Sequence, residues 1–326
     1  MVKQQTFKKQ QKYYKRKYLA SNLKRNWTLY TMVLPGFILI FIFSYIPIYG
    51  IVMAFQNFSP GLGFFRSPWA QPWYGHFVHM FEDYYFGRIM TNTLKLSIYG
   101  LLWGFPAPIV LALLFNEMKH KGYKRVAQTI SYMPYFLSTV IIVGILKILF
   151  ASEGPIVSLA NFFGNDMGNI FMEPHAFRTI YITSGIWTSV GYSSIIYLAA
   201  IAGINPELYE SAVIDGANRL QQVMYITLPA MVPTITILLI LNVSGIINND
   251  YQKILLMYNP AIYSTSDVIG TYVYRMGISG DAGTGGTGII NQSYAAAVGL
   301  FQSVVSFLLL AIANLFARHV GETSLW

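Results

Sequence analysis

The sequence contains no cysteine and few charged residues. Without cysteine the chain cannot form a disulfide, a thiolate metal site or a cysteine nucleophile. Charged residues make up 11% of the 326 positions, against about a quarter in soluble globular domains. Hydrophobic residues make up 54%, and the mean hydropathy is +0.46. This composition nearly excludes a water-soluble enzyme, a disordered tail and a nucleic-acid module, and it indicates a membrane protein.

Acidic residues are missing from the chain before Glu82. Nine of the 22 basic residues lie within the first 25 positions, so the other 13 balance the 13 acidic residues. The net charge of +9 therefore belongs to a tail and not to a binding face. We expect a basic cytoplasmic tail over residues 1–28, which contacts anionic lipid headgroups, followed by a transmembrane domain over residues 29–326.

Long apolar runs recur along the chain. A membrane-crossing helix takes roughly 20 mostly apolar residues, and the sequence predicts six, at about 29–55, 92–115, 129–150, 177–202, 231–248 and 294–317. The first is too long for a signal-peptide core and no small-residue cleavage site follows soon after, so we expect it to stay uncleaved. The run at 231–248 is the weakest, because it is short and carries asparagines.

The distribution of lysine and arginine predicts the orientation. With the N-terminus inside, 15 basic residues fall on the cytoplasmic side and five outside. Because positive residues favour the cytoplasm, both termini are predicted to be cytoplasmic. Lys95 and Lys147 lie near the outer ends of their spans, where their side chains can extend to the interface.

The usual catalytic and metal-binding motifs are missing. The glycine-rich segment 280–288 has no lysine and is predicted to lie outside, so it is not an ATP-binding loop. His76, His79 and Glu82 would share one helical face. They lie in an outside loop without a second cluster of ligands, so we predict no metal site.

Two further membrane functions are disfavoured. Gly191-Tyr192-Ser193-Ser194 is similar to the serine motif of intramembrane proteases, but the chain has no histidine base within a later span. All 13 acidic residues fall in loops or at span ends, which weakens proton coupling. Sodium coupling through backbone carbonyls stays open, so a stand-alone ion-coupled secondary transporter is the alternative function.

The cytoplasmic segment 205–229 is the most informative loop. Asn205 can cap a helix that begins at Pro206 and carries Glu207 in its first turn. The pattern stays helical through Leu220. Helices that lie on lipid are usually rich in lysine and arginine, whereas this one has three acids against Arg219 alone. We therefore expect it to contact a protein partner.

The spacing of this loop resembles the Glu-Ala-Ala loop of permease subunits in binding-protein-dependent ABC importers. The resemblance lies in Glu210-Ser211-Ala212, in Asp215-Gly216-Ala217 and, after a nine-residue gap from the glycine, in Ile226-x-Leu228-Pro229. Ser211 replaces the usual first alanine, which is a change between small residues.

Further segments are similar to the carbohydrate branch of that family, and most of all to permeases for complex oligosaccharides such as alginate- or pectin-type fragments. They are Leu34-Pro35-Gly36, Tyr45-Ile46-Pro47, Thr91-Asn92-Thr93-Leu94, Tyr132-Met133-Pro134, Ala199 to Ile204, Asp267-Val268-Ile269, Thr271 to Arg275 and Glu322 to Trp326. The segment 280–288 is similar to an insertion relative to the family pattern.

The resemblance implies an all-α protein with the type I ABC importer fold in a bacterial cytoplasmic membrane. It implies a non-catalytic subunit that pairs with a second homologous permease, two ATPase subunits that use ATP and magnesium, and an extracytoplasmic sugar-binding protein. The residues implied for ATPase coupling are Glu210, Ser211, Ala212, Asp215, Gly216, Ala217, Ile226, Leu228 and Pro229. No cofactor is expected in this chain itself.

A sugar path needs aromatic faces and amide or hydroxyl groups. Trp187 and Ser194 share a face of the fourth span with Gly191, and Asn242 and Asn249 share a face of the fifth with Gly245. For the glycines, close helix packing is the favoured interpretation. Trp187, Ser194, Asn242 and Asn249 are the candidate path residues.

Overall fold

A computed structural model describes residues 25–164, 168–257, 259–280 and 290–320. Most of the predicted tail, the closing segment 321–326 and the glycine-rich segment 280–288, apart from residue 280, lie outside these ranges. The chain divides into two compact units, Met1–Val52 and Met53–Trp326. Within the described ranges the secondary structure is helical, apart from one isolated bridge between Gln56 and Trp69.

Among the described residues, five helices are long and apolar enough to cross a membrane, and a bent pair of helices makes a sixth segment when the pair is counted as one span. We number them spans 1 to 6 in chain order. Their bounds are Trp27–Phe55, Phe86–Glu117, Lys121–Phe136 with Thr139–Leu149, Pro174–Ala202, Arg219–Ser244 and Gln292–Arg318. This confirms the predicted all-α membrane fold with six apolar segments.

Shorter helices connect the spans. On the predicted outer side they are Gly63–Arg66, Gly75–Glu82, Pro155–Phe162, Ile170–Met172, Tyr251–Met257, Pro260–Ile262, Tyr263–Ser266, Ile269–Tyr274 and Arg275–Ser279. On the predicted cytoplasmic side one short helix, Pro206–Ile214, lies between spans 4 and 5. We call it the loop helix.

Span 3 is sharply bent. Its two helices meet at 100°, and Pro134 lies in the last turn before the break. Ser138 starts the second helix by accepting a hydrogen bond from the Ile141 backbone N–H at 3.3 Å. A proline removes a backbone donor and disfavours continuation of the helix, which explains why one apolar run forms two helices.

Spans 1 and 5 each contain a π turn that ends just before a proline. In span 5 the turn covers Val223–Thr227, and the Leu228 N–H bonds to the Val223 carbonyl five residues earlier. Pro229 follows and cannot donate to a carbonyl of the preceding turn. The wider turn absorbs this defect, so the helix continues through the proline.

Span 5 therefore starts earlier than the sequence predicts. The helix begins at Arg219 and ends at Ser244, whereas hydropathy placed the span at 231–248. Asn218 starts it with a capping box, accepting from the Gln221 N–H at 2.9 Å, while its own N–H donates to the Gln221 side chain at 2.7 Å. Because the first turn is polar, a hydropathy scan does not detect that the helix starts there.

Spans 3 and 4 touch backbone to backbone at Gly191. A Cβ built on Gly191 would lie 2.0 Å from the Ser131 carbonyl oxygen. Only glycine permits this approach, which agrees with the packing interpretation of this residue.

We expect Gly191→Ala to destabilise the protein by about 1–3 kcal/mol, the usual cost of overpacking. Gly144→Ala in span 3 is the matched control, because no atom lies within 4 Å of a Cβ at that position. Thermal unfolding of both variants in detergent measures the difference. Equal stability of the two variants would contradict the close contact.

A buried polar network joins span 2 to the segment between spans 5 and 6, which lies far away in the sequence. Arg275 donates to the two carboxylate oxygens of Asp267 at 2.9 and 2.7 Å, and Asp267 is fully buried. Asn92 donates to the Asp267 carbonyl at 3.2 Å, and the Ile269 N–H donates to the Thr93 hydroxyl at 3.0 Å. The network fixes the outer end of span 2 to the segment between spans 5 and 6.

A second outer cluster surrounds Asp83. The hydroxyls of Tyr272 and Tyr294 both donate to its Oδ2 atom. Burial and the neighbouring carboxylate raise the pKa of Tyr272 above its usual value. The Tyr272 phenol therefore stays protonated as a donor, and the cluster connects the loop before span 2 with the start of span 6.

Candidate functional site

The loop helix is short and well capped. The Asn205 side chain accepts from the Glu207 N–H at 3.1 Å, as predicted from the sequence, and Pro206 occupies the first turn. The Ser211 hydroxyl donates to the Glu207 carbonyl at 2.9 Å. Asn205 also donates to the Glu207 carboxylate at 3.1 Å. The helix thus satisfies its own N-terminal groups without help from the rest of the chain.

The loop helix ends at Ile214, so the prediction that it continues through Leu220 was wrong. Gly216 has a φ of +80°, a region that favours glycine. The Ala217 N–H bonds to the Ala212 carbonyl at 2.8 Å and the Gly216 N–H to the Val213 carbonyl at 3.1 Å. This is the Schellman arrangement that closes a helix, and the helical periodicity did not reveal it.

One side-chain contact links the loop helix to span 5, and a second links the start of span 5 to the end of span 2. The Tyr209 and Thr227 hydroxyls are 2.9 Å apart, and Thr227 lies in the π turn of span 5. Arg219 forms an exposed ion pair with Glu117, at the end of span 2, at 2.8 Å. Movement of the loop helix is therefore linked to spans 2 and 5.

The predicted coupling residues from Glu210 to Ala217 lie on the loop helix and the turn that ends it, whereas Ile226, Leu228 and Pro229 lie in span 5. Glu210, Ser211, Asp215, Gly216 and Pro229 are exposed, whereas Ala212, Ala217, Ile226 and Leu228 are partly buried. Large apolar side chains beside them are also exposed, including Ile214 at 86% and Tyr225 at 79%. Exposed apolar groups interspersed with acids are typical of a surface that binds a protein partner.

A cavity of about 660 Å³ lies between spans 2, 3, 4 and 5 and the short helix after span 5. This volume is within the usual range of small-molecule sites. Its hydroxyl, amide and charged lining residues are Ser97, Tyr135, Thr139, Tyr181, Thr188, Ser189, Tyr192, Ser193, Tyr197, Asn242, Asn248, Asn249, Asp250 and Lys253. Tyr135 and Tyr192 stack face to face with their ring centroids 4.0 Å apart.

The four candidate path residues occupy different environments. Asn242 and Asn249 line the cavity. Asn242 donates to the Leu238 carbonyl at 2.8 Å, and Asn249 reaches the Ser97 hydroxyl at 3.3 Å. Trp187 is 47% exposed and Ser194 donates to the Gly191 carbonyl within its own helix at 2.6 Å. Neither of these two residues is among those that line the cavity.

Sequence reasoning missed the face of span 4 that lines the cavity. That face carries Tyr181, Gly185, Ser189 and Tyr192, at spacings of four, four and three residues. These are the spacings of one helical face, so its run of hydroxyls was a signal in the sequence.

The two histidines of the outer loop have other partners. The His76 Nε2 atom lies 3.1 Å from the Gln56 carbonyl, and the His79 ring packs against the Tyr294 ring at 5.1 Å. Among the described residues, no three histidine, aspartate or glutamate side chains form a group that could hold a metal.

Three comparisons relate the chain to known proteins. A family model described as "Binding-protein-dependent transport system inner membrane component" matches residues 104–322. The chain is 38% identical over 313 residues to the polygalacturonan/rhamnogalacturonan transport system permease protein YteP of Bacillus subtilis, covering 96% of this chain and 94% of that protein. It is also 38% identical over 305 residues to Protein LplB of the same organism, covering 93% and 92%.

Solved structures give the same relationship. One is a bacterial ABC transporter involved in the import of the acidic polysaccharide alginate, with 41% identity, a TM-score of 0.82 and coverage of 93% of this chain and 99% of that one. Another is a bacterial alginate ABC transporter in complex with an alginate pentasaccharide-bound periplasmic protein, with 40% identity, a TM-score of 0.82 and coverage of 94% and 99%.

Proposed function

Because the chain belongs to the family of binding-protein-dependent transport system inner membrane components, we propose that an oligosaccharide crosses the membrane through its cavity and that its loop helix docks on an ATPase. As a member of this family it is a permease of an ABC importer in the bacterial inner membrane. Family membership also removes the alternative of a stand-alone secondary transporter, which has no partner for such a loop.

The accessible loop helix is the observation that carries the proposal. It is closed at both ends by its own hydrogen bonds, and it presents Glu210, Ser211 and Asp215 to solvent. A rigid exposed helix with apolar and acidic groups fits a cleft on a protein partner. Glu210 to Ala212 and Asp215 to Ala217 form the docking contact, and Ile226, Leu228 and Pro229 join it to span 5.

The loop helix transmits partner movement to span 5, and span 5 transmits it to span 2, each through one side-chain contact. Tyr209 bonds to Thr227 in the π turn, and Arg219 pairs with Glu117 at the end of span 2. When ATP binding closes the partner ATPases, the docked helices of two paired permeases move together. Spans 2 and 5 then change their separation, and the cavity opens to one side of the membrane at a time.

The cavity supplies the groups that a sugar needs. Asn242, Asn249 and Ser189 offer amide and hydroxyl contacts, and the stacked pair of Tyr135 and Tyr192 offers an aromatic face. Carbohydrates use both kinds of contact, because their hydroxyls form hydrogen bonds while their C–H faces pack on rings. No covalent bond changes in this chain, and ATP hydrolysis with magnesium takes place on the partner subunits.

Purification from the native membrane through a tag on this chain tests the proposal. We expect a second six-span permease and an ATPase to copurify, and the complex should hydrolyse ATP faster when a sugar-loaded binding protein is added. Proteoliposomes that contain the complex should accumulate a labelled oligosaccharide only when ATP is present on the side of the membrane where the ATPases lie. Transport by this chain alone, or without ATP, would contradict the proposal.

A further inference from the structure

The cavity wall carries a single basic residue among the described residues that line it, Lys253. Its side chain is nearly completely buried, with a residue exposure of 6%. The rest of the wall is built from hydroxyl, amide, aromatic and aliphatic groups, with Asp250 as its one acid. Burial of an ammonium group costs free energy unless the charge is paired, so the partners of Lys253 decide what this residue can do.

The ammonium group is held in one position. Its Nζ atom donates to the Tyr181 carbonyl at 3.1 Å and lies 4.9 Å from the centre of the Tyr181 ring. The Tyr181 hydroxyl in turn accepts from the Asp250 N–H at 3.1 Å. Gly185 follows one turn later on span 4, and a Cβ there would lie 3.6 Å from Nζ. Span 4 thus positions the charge and leaves no side chain over it at Gly185.

Asp250 does not form an ion pair with this ammonium. Its Oδ1 atom accepts from the Lys253 backbone N–H at 3.1 Å, at the start of the helix Tyr251–Met257, and the Asp250 residue is exposed. Within the described residues, no carboxylate oxygen lies within 4.0 Å of Nζ. Burial lowers the pKa of Lys253 to about 8, although Asp250 opposes this shift. The protein therefore compensates the charge incompletely.

We infer that Lys253 recognises a carboxylate on the transported sugar and thereby favours acidic oligosaccharides over neutral ones. The inference rests on the proposed function, because it requires that the cavity is the sugar path. A carboxylate beside Nζ supplies the missing counter-charge through a charge-assisted hydrogen bond. Asn249 and the hydroxyls nearby contact the neutral part of the same sugar unit. Lys253 is then a specificity residue that a neutral sugar does not need.

The test measures the affinity of the detergent-purified complex of permeases and ATPases for a galacturonate trimer and for its carboxyl-reduced, neutral counterpart, with alginate-type uronates in parallel. The binding protein is left out, so its own preference does not contribute. We expect the wild-type complex to bind the uronate about tenfold more tightly than the neutral trimer, the usual effect of one hydrogen bond to a charged group. Equal affinities would overturn the inference.

Two substitutions at the same position sharpen the test. Lys253→Gln removes the charge and should weaken uronate binding about tenfold while leaving neutral binding unchanged. Lys253→Arg keeps the charge and should retain most of the preference. If Lys253→Gln weakens both trimers equally, or neither, the residue has only a structural role. If Lys253→Gln does not assemble, equal affinities of the wild-type complex for the two trimers still overturn the inference, and the Lys253→Arg variant must retain the preference.

Failure of the proposed function has a different signature. In that case the wild-type complex binds neither trimer and shows no ATP-dependent uptake of either one. Failure of this inference alone leaves ATP-driven oligosaccharide uptake intact and removes only the dependence on the carboxylate.

Discussion

We expect Gly216→Asp to abolish most oligosaccharide uptake, while the protein still inserts into the membrane. Gly216 ends the loop helix with a φ of +80°, and apart from its two neighbours in the chain no described residue has an atom within 4 Å of a Cβ at this position. The new carboxylate therefore meets the docking partner and not the permease itself. We expect ATPase binding to weaken about thirtyfold or more, as at an interface hot spot.

Gly216→Asn is the matched control for this prediction. Asparagine has the same shape as aspartate and also tolerates the left-handed backbone region, but it adds no charge. It should lose only part of the uptake, because size alone changes. Binding of the purified ATPase to each variant separates docking from folding. Normal uptake by Gly216→Asp would contradict the docking assignment.

Asp267→Asn should destabilise the permease strongly. The substitution leaves the Arg275 guanidinium, which is 3% exposed, without its carboxylate partner. Removing one partner of a buried ion pair costs about 3–5 kcal/mol, because the remaining charge stays buried after it loses its counter-charge. Denaturant unfolding in detergent should show this loss as a lower midpoint, and the complex should become easier to digest with trypsin.

An exposed ion pair in the same chain provides the comparison. Glu117→Gln breaks the pair with Arg219, whose side chain is 64% exposed, and should change the free energy of unfolding by at most about 1 kcal/mol. Asp267→Asn combined with Arg275→Met removes both buried charges and should recover much of the lost stability. Equal effects of Asp267→Asn and Glu117→Gln would contradict the prediction that the buried pair of Asp267 and Arg275 matters more for stability than the exposed pair.

Hydropathy predicted the membrane architecture because each span contains an apolar run close to the roughly 20 residues that cross a membrane. It could not locate helix ends that depend on local hydrogen bonds. Span 5 begins at Arg219 because of the capping box of Asn218 and Gln221, and Val223–Thr227 widens ahead of Pro229. Neither feature changes the average hydropathy of the segment, so a scan placed the start at residue 231 and not at residue 219.

The site was partly predictable for a similar reason. The spacing of the loop residues led to the coupling prediction. Of the predicted path residues, Asn242 and Asn249 line the cavity, whereas Trp187 and Ser194 do not. Lys253 is one of the five basic residues that the sequence predicts to lie outside, since it follows span 5. Its burial depends on the helix Tyr251–Met257 contacting Tyr181, 72 residues away. Contacts at such separations are not visible in local periodicity.

The chain's lack of cysteine makes one measurement especially direct. Ser211→Cys places the only cysteine of the sequence on the exposed face of the loop helix, where it can carry a short photo-crosslinker in native membranes. Tyr84→Cys, at a position that is 88% exposed on the predicted outer side, is the control. We predict that the Ser211→Cys variant crosslinks to an ABC-type ATPase subunit and that the Tyr84→Cys variant does not. Crosslinks from the Ser211→Cys variant to lipid alone, or an ATPase crosslink from the Tyr84→Cys variant, would contradict docking of the loop helix on an ATPase.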